Sequence, residues 1–210
     1  MQPGDIAIVS LGSVLIVLLI TVLASVVMQA CASQTYVLTQ RLFPALNEAG
    51  YNYWLDWGTL LGARREGGMI PHDYDADIGM HESEFQKLRA NWKKDAHFHG
   101  MRLCKEGGGL YRIRSGLGWV DVFRYTGDGD MLDMLSMAHE KHSCKCPGRG
   151  HRIARAFIFP LRSLRFGSVL APVPADTDSY LVHLYGDAWH IPRKNDASRI
   201  MSLVPRLFSR

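Results

Sequence analysis

The sequence predicts an α+β domain, a mixed β-sheet flanked by helices, preceded by one amino-terminal transmembrane helix. Three observations carry this expectation. Ile6 to Val27 is a run of 22 uncharged, mainly aliphatic residues. Three short, strand-compatible segments follow one another between glycine-rich turns in the middle of the chain, and apolar residues at helical spacing lie on either side of them.

The amino terminus is set apart by its charges, since after Asp5 no Asp, Glu, Lys or Arg occurs until Arg41. As a helix the apolar run is about 33 Å long, against a hydrocarbon layer of about 30 Å. This makes 1–32 a membrane anchor, with its span over 6–27, and 33–210 the domain it carries. Two alternatives stand beside the anchor. Ala30-Cys31-Ala32 has the small-residue character of a secretory cleavage site, and a buried core helix can also be apolar all round. The leading MQPGD contains no Lys or Arg, so it says little about orientation.

Beyond the run lie all 24 basic residues and 19 acidic ones, Asp5 being set aside, a net charge of about +5. That favours an anionic ligand. The basic residues are scattered rather than gathered into a stripe, which argues against nucleic acid and suits phosphate donors or lipid headgroups equally. A hydrophobic share of 47% with 21% charged residues excludes general disorder, and 210 residues suit a single core.

Ser33 to Ala49 places Leu38, Leu42, Ala45, Leu46 and Ala49 at helical intervals and stops at Gly50, with Pro44 as the position for a kink or break. Tyr53 to Asp56 reads as a short strand, Gly58-Thr59 as a turn, and Leu60 to Arg65 as one or two helical turns ended by Gly67-Gly68. Ala76 to Met80 reads as a strand and Ser83 to Trp92 as a helix with an acidic first turn. Met101 to Lys105, Leu110 to Ser115 and Trp119 to Tyr125 follow as three strands of an antiparallel meander. Thr126 to Gly150 reads as a long polar loop. Phe157 to Val173 is strand-compatible again, and Asp176 to Tyr185 closes the domain as a helix.

The densest chemistry lies in Pro71-His72-Asp73-Tyr74-Asp75-Ala76-Asp77-Ile78-Gly79. On an extended strand Asp75 and Asp77 share a face. Carboxylates so close repel unless a cation lies between them, and a hard divalent ion, Mg²⁺ or Mn²⁺, is the cation that oxygen ligands and substrate phosphates share. A third carboxylate, Asp121, is set mid-strand in Trp119-Val120-Asp121-Val122-Phe123, a costly place for an unpaired charge. If the two strands are neighbours, Asp75, Asp77 and Asp121 would cup the metal. The plainer alternative makes each Asp a turn residue or half of an ion pair, but the shared spacing and the apolar setting of Asp121 favour the metal site. The preceding Gly58-Thr59-Leu60-Leu61-Gly62 could offer backbone amides to a phosphate, with Arg65 as a planar cation.

Together the stretch from Trp57 to Gly79 and the later Trp119-Val120-Asp121-Val122-Phe123, Phe159-Pro160-Leu161, Val173-Pro174 and Tyr185-Gly186-Asp187 resemble the LicD/fukutin family over roughly residues 51–189. The wording Asp73-Tyr74-Asp75-Ala76-Asp77 followed by Gly79 is nearer the fukutin-related members, and His72 stands where most members have Trp. The resemblance implies a nucleotidyltransferase-like fold and a phosphotransferase. Metal ligation would fall to Asp75, Asp77 and Asp121, and substrate binding to Gly58, Thr59, Gly62, Arg65, His72 and Asp73. It also implies a CDP-linked donor of a phospho-alditol or phosphocholine group, a glycan acceptor, and a Golgi or other secretory-pathway membrane with the catalytic domain in the lumen. Two other readings share the carboxylates: a nucleotidyltransferase with another acceptor, and a catalytically silent glycan-binding or assembly module.

Weaker signals remain. His142, Cys144, Cys146 and His151, with His139 nearby, could hold Zn²⁺, although the spacing fits no standard finger, and a disulfide to Cys104 or free thiols serve equally. Thr126 to Asp130 lacks the ligands of a calcium loop and reads as a solvated turn. Arg112 and Arg114 alternate on one strand face, either towards a donor phosphate or on an exposed face of the meander.

Overall fold

The computed structural model of the chain describes residues 11–71, 73–135 and 152–192. In chain order the elements are α1 (Leu11–Glu48), β1 (Trp54–Leu55), α2 (Trp57–Glu66), β2 (Ala76–His81), α3 (Glu82–Asn91), β3 (Arg102–Lys105), β4 (Tyr111–Ser115), β5 (Gly118–Thr126), β6 (Met131–Met134), β7 (Arg152–Ala154), α4 (Arg155–Ile158), β8 (Arg162–Phe166), β9 (Val169–Val173) and α5 (Thr177–Tyr185).

Seven strands form one mixed sheet in the order β1-β2-β5-β4-β3, with β6 paired to the far end of β5 and β7 to β6. Strands β2 and β5 are parallel, and every other pair is antiparallel. The expected meander is present as β3-β4-β5. Alternation along the strands divides the two faces. Ala76, Ile78 and Met80 of β2, Val120 and Val122 of β5 and Ile113 of β4 are all fully buried. They share the core with Leu38, Leu42 and Leu46 of α1 and Phe85 and Leu88 of α3. The intervening residues, Asp77 and Asp121 among them, point to the opposite face, where α2 and α5 lie. The separate β8-β9 hairpin packs beside α1 and β1.

The structure departs from the sequence reading at several places. The apolar run and the first domain helix are a single helix without interruption at 32/33, and Pro44 lies inside it without ending it. Proline in a helix interior costs about 3 kcal/mol. Leu42, Phe43 and Leu46 around it are fully buried, at about 1.5–3 kcal/mol each, which outweighs that cost. The first half of α1 is long and apolar enough to cross a membrane, and 6% of its most apolar window is buried, so it is not a core helix of this domain. The Gly58-Thr59 turn belongs to the first turn of α2. Helix α3 starts at Glu82, capped by His81, whose side chain accepts from the Ser83 amide. The segment read as one loop contains β6, where only Leu132 and Met134 point inwards, too short a pattern to be read as periodic. The later apolar stretch is divided into α4 and the β8-β9 hairpin.

Gly79 is fixed by packing. It pairs with Trp54 across β1 and β2, and a Cβ there would lie 2.2 Å from Trp54 Cε2. Its bare backbone lets the buried Trp54 indole lie across the sheet.

Candidate active site

Parallel pairing of β2 with β5 sets Asp77 directly beside Asp121, and Asp75 stands one residue before β2. Ligand oxygens of Asp75, Asp77 and Asp121 lie within 4.8 Å of one another. Asp73, expected to bind substrate, joins the same cluster through a hydrogen bond to Asp75. The strand that was to neighbour Asp75 and Asp77 is thus the one that bears Asp121.

The amino-terminal turn of α2 borders this cluster. The Gly58 amide donates to Asp77 Oδ2 at 3.2 Å. A Cβ at Gly58 would stand 3.2 Å from Asp73 Oδ2, close enough to press that carboxyl by a few tenths of an ångström, and at an ordinary contact distance of 3.5 Å from Asp77 Oδ2. Thr59 Oγ1 accepts from the Asp77 amide at 2.7 Å, tying the helix to β2. Gly62 faces elsewhere, for its Cβ would lie 2.4 Å from the Gly68 carbonyl oxygen. Trp57 opens the helix at φ 41, a left-handed conformation that costs a non-glycine residue about 1–3 kcal/mol and is most often kept at functional sites.

Arg112 neutralises part of the charge. It lies opposite Asp121 across β4 and β5, with Nε donating to Oδ1 at 2.5 Å and Nη2 to Oδ2 at 3.2 Å. Its guanidinium is also 5.5 Å from the Trp119 ring centre. Neither sequence reading of Arg112 described this pairing. Arg114 pairs with Glu106 at 2.9 Å.

With four carboxyls against one guanidinium, burial and repulsion raise the proton affinity of Asp73, Asp77 and Asp121. Burial first, then Asp75 and Asp121, hold the Asp77 carboxyl well above the usual range. Burial, the hydrogen bond to Asp75 and its charge push Asp73 up to about 7. Burial raises Asp121 as well, against the pull of Arg112. Such a set needs positive charge, and its all-oxygen ligands fit a hard divalent cation.

Sequence reasoning passed over Asp56. This fully buried residue caps α2 by accepting from the Trp57 amide at 2.9 Å, and it takes the hydroxyls of Tyr125 and Tyr180, each at 2.7 Å. Burial pushes it up to about 6, moderated by those three donors. One carboxylate thereby joins β5 and α5 to the entry of α2. Its place just before the glycine turn was the one available signal.

Arg65 lies farther along α2. Its Nη1 donates to the Trp189 carbonyl at 3.4 Å, and its Nε is buried without a partner among the described residues. With Ile70, Tyr185 and Trp189 it lines a cavity of about 220 Å³. Burial and the nearby charges of Asp77, Asp56 and Asp73 raise Tyr185 above the usual phenol range, so the cavity adjoins the acidic cluster. His72 lies outside the described residues, as do His139, His142, Cys144, Cys146 and His151, and with them the zinc and disulfide readings.

The family model described as "LicD/FKTN/FKRP, nucleotidyltransferase domain" matches residues 50–176, more than half of the chain. Ribitol 5-phosphate transferase FKRP of Homo sapiens is 56% identical over 36 residues, which is 17% of this chain and 7% of that protein. Ribitol-5-phosphate transferase FKTN of Mus musculus is 28% identical over 163 residues, 75% of this chain and 33% of that one. Lipopolysaccharide cholinephosphotransferase LicD of Haemophilus influenzae is 44% identical over 48 residues, 23% and 18% of the two chains. The chain therefore spans a third or less of these curated relatives. Among solved structures it is similar to ANT(2")-Ia in complex with adenylyl-2"-tobramycin, at a TM-score of 0.42 and 15% identity over 83% of this chain and 92% of that one. By the match of its site-bearing domain, this chain belongs to the LicD/FKTN/FKRP family of nucleotidyltransferase domains.

Proposed function

We propose that the chain is a metal-dependent phosphotransferase that moves a phospho-alditol or phosphocholine group from a CDP-linked donor to a glycan hydroxyl. We further read 1–32 as its anchor in a Golgi or other secretory-pathway membrane, and 33–210 as the catalytic domain on the lumenal side. The observation that carries the enzymatic reading is the convergence of Asp75, Asp77 and Asp121 within 4.8 Å. The anchor is supported by the exposure of the apolar half of α1 and by its unbroken passage through Ala30-Cys31-Ala32, where Cys31 is already buried.

Asp75, Asp77 and Asp121 would hold Mg²⁺ or Mn²⁺, which would offset the charge of the donor pyrophosphate and of the departing CMP. The protein's own contribution is placement. Parallel pairing of β2 and β5 holds two of the three ligands in register, and Arg112 orients both oxygens of Asp121. Gly58 keeps a side chain from pressing on Asp73 and donates its amide to Asp77, holding the carboxyls in place. Arg65 and Trp189 line the adjoining cavity, where part of the donor can enter. Burial and the neighbouring Asp75 hold the Asp73 carboxyl up to about 7, so a cation at the cluster would compete with a proton there and its affinity would rise with pH.

The test is to incubate the full chain with Mg²⁺ or Mn²⁺ and CDP-ribitol, CDP-choline and other CDP-linked donors while following CMP. Release should require the metal and be lost in Asp77→Asn. Full activity in Asp77→Asn, or no release from any donor by protein that binds Mn²⁺, would overturn the reading.

A further inference from the structure

Helix α1 passes from an exposed apolar rod to a core helix with no linker between the two, and the point of change sets the height of the acidic cluster above a membrane. Leu15, Val17, Leu19, Ile20 and Leu23 are all exposed. Burial begins at Cys31, and the docking contacts are made by Gln34 and Thr35. The Thr35 hydroxyl donates to the Tyr74 carbonyl at 2.8 Å and accepts from the Trp119 amide at 3.2 Å. Gln34 Oε1 accepts from the Leu117 amide at 2.8 Å. A Cβ on Gly118 would lie 2.6 Å from the Gln34 carbonyl, so the β4-β5 turn rests backbone to backbone on the helix.

These contacts surround the site. Tyr74 lies between Asp73 and Asp75, and Trp119 is two residues before Asp121. The helix therefore leaves the domain at the ends of β2 and β5 that bear the acids. Thr35 is eight residues beyond Val27, about 12 Å of helix, and Asp121 is two strand residues beyond Trp119, about 7 Å. The cluster then stands no more than about 20 Å from the hydrocarbon, of which the headgroup layer fills roughly 5–7 Å. Leu117, 51% exposed, projects at the same end.

We propose that this end of the domain rests on the lipid headgroups through the β4-β5 turn, and that the acceptor hydroxyl is carried on a membrane lipid. The seating follows from α1 and its contacts. The lipid-borne acceptor also rests on the function proposed above: a continuous helix holds the cluster at the height of sugars attached to a lipid, and gives it no stem with which to reach higher.

The test places tryptophan reporters in the full chain, reconstituted in phosphatidylcholine vesicles that include lipid with a nitroxide on the headgroup. Leu117→Trp reports the proposed contact. Leu170→Trp is the distal control, being 60% exposed and beside Asn47, whose Nδ2 donates to its carbonyl at 3.1 Å, about 18 Å farther along α1 than Thr35. Relative to the parent chain, Leu117→Trp emission should be quenched at least threefold more than Leu170→Trp emission. Equal quenching, or none for Leu117→Trp, would overturn the seating. Seven helix-forming residues inserted between Gln29 and Ala30 raise the domain by about 10 Å with almost the same facing. The insertion should abolish quenching of Leu117→Trp. It should also lower transfer to an alkyl-linked oligosaccharide in the vesicle at least tenfold, while transfer to the free oligosaccharide stays within twofold. An equal effect on both acceptors would overturn the lipid-borne acceptor. Absence of any transfer alongside strong Leu117→Trp quenching would refute the proposed function and the acceptor while leaving the seating established.

Discussion

Replacing Arg112 by Gln removes the guanidinium that stands against the acidic cluster and leaves Asp121 among three other carboxyls. The side chain of Asp121 is 8% exposed and that of Arg112 27%. Breaking a buried pair from one side costs about 3–5 kcal/mol, and the partial exposure of Arg112 places this one near 3 kcal/mol. For a chain of this size that is a fall in Tm of about 6–12 °C at pH 7.5. The loss should shrink as the pH falls, because Asp121 already has a raised proton affinity and becomes neutral in the variant at a higher pH still. Saturating Mn²⁺ should also restore most of the stability, since an ion bound at about a hundred times its Kd contributes about 2.7 kcal/mol. The assay is thermal unfolding of the full chain in detergent at pH 4.5 and pH 7.5, with and without Mn²⁺. A loss that is the same at both pH values and unmoved by Mn²⁺ would show that Arg112 acts by packing on Trp119, and the electrostatic account of the cluster would fail.

Four further outcomes are expected. Asp77→Asn should reduce CMP release about a hundredfold or more with an unchanged circular dichroism spectrum, given the size of charge-stabilising contributions at such sites. Asp73 at about 7 and Asp56 at about 6 both lie above the unfolded value of 3.8. Their contribution to the stability of the metal-free protein is therefore complete below about pH 4 and lost as the pH rises through 6 to 7; urea unfolding between pH 4 and 8 should show this decline, and Mn²⁺ should reduce it. Gly79→Ala forces a methyl into the Trp54 ring and should cost about 3 kcal/mol in the same urea assay. Tyr180→Phe withdraws one of the two hydroxyls from buried Asp56 and should cost about 1–3 kcal/mol, with Tyr125→Phe non-additive because both serve one carboxylate.

The period-2 strands, the glycine turns between them and the closing helix were legible in the sequence because each is a local pattern. The acidic pair was legible for the same reason, since Asp75 and Asp77 are two residues apart. Their junction with Asp121 was legible only as a condition, that two strands separated by more than forty positions be neighbours, and parallel pairing of β2 with β5 met it. The partner of Arg112 was hidden because alternation tells which residues share a face but not which strand supplies the residue opposite. Asp56 was hidden because its meaning depends on two tyrosines far away in the chain.

By itself the sequence determined the apolar run, the secondary structure of the central strands and the presence of a carboxylate motif, all set by side-chain order along a few turns or pleats. Tertiary structure alone decided that Pro44 does not end α1, that Gly79 and Gly118 serve close packing, and that the acidic cluster lies at the end of the domain from which the apolar helix departs. Each of these depends on what burial and pairing across the chain can outweigh, a balance that no local pattern contains.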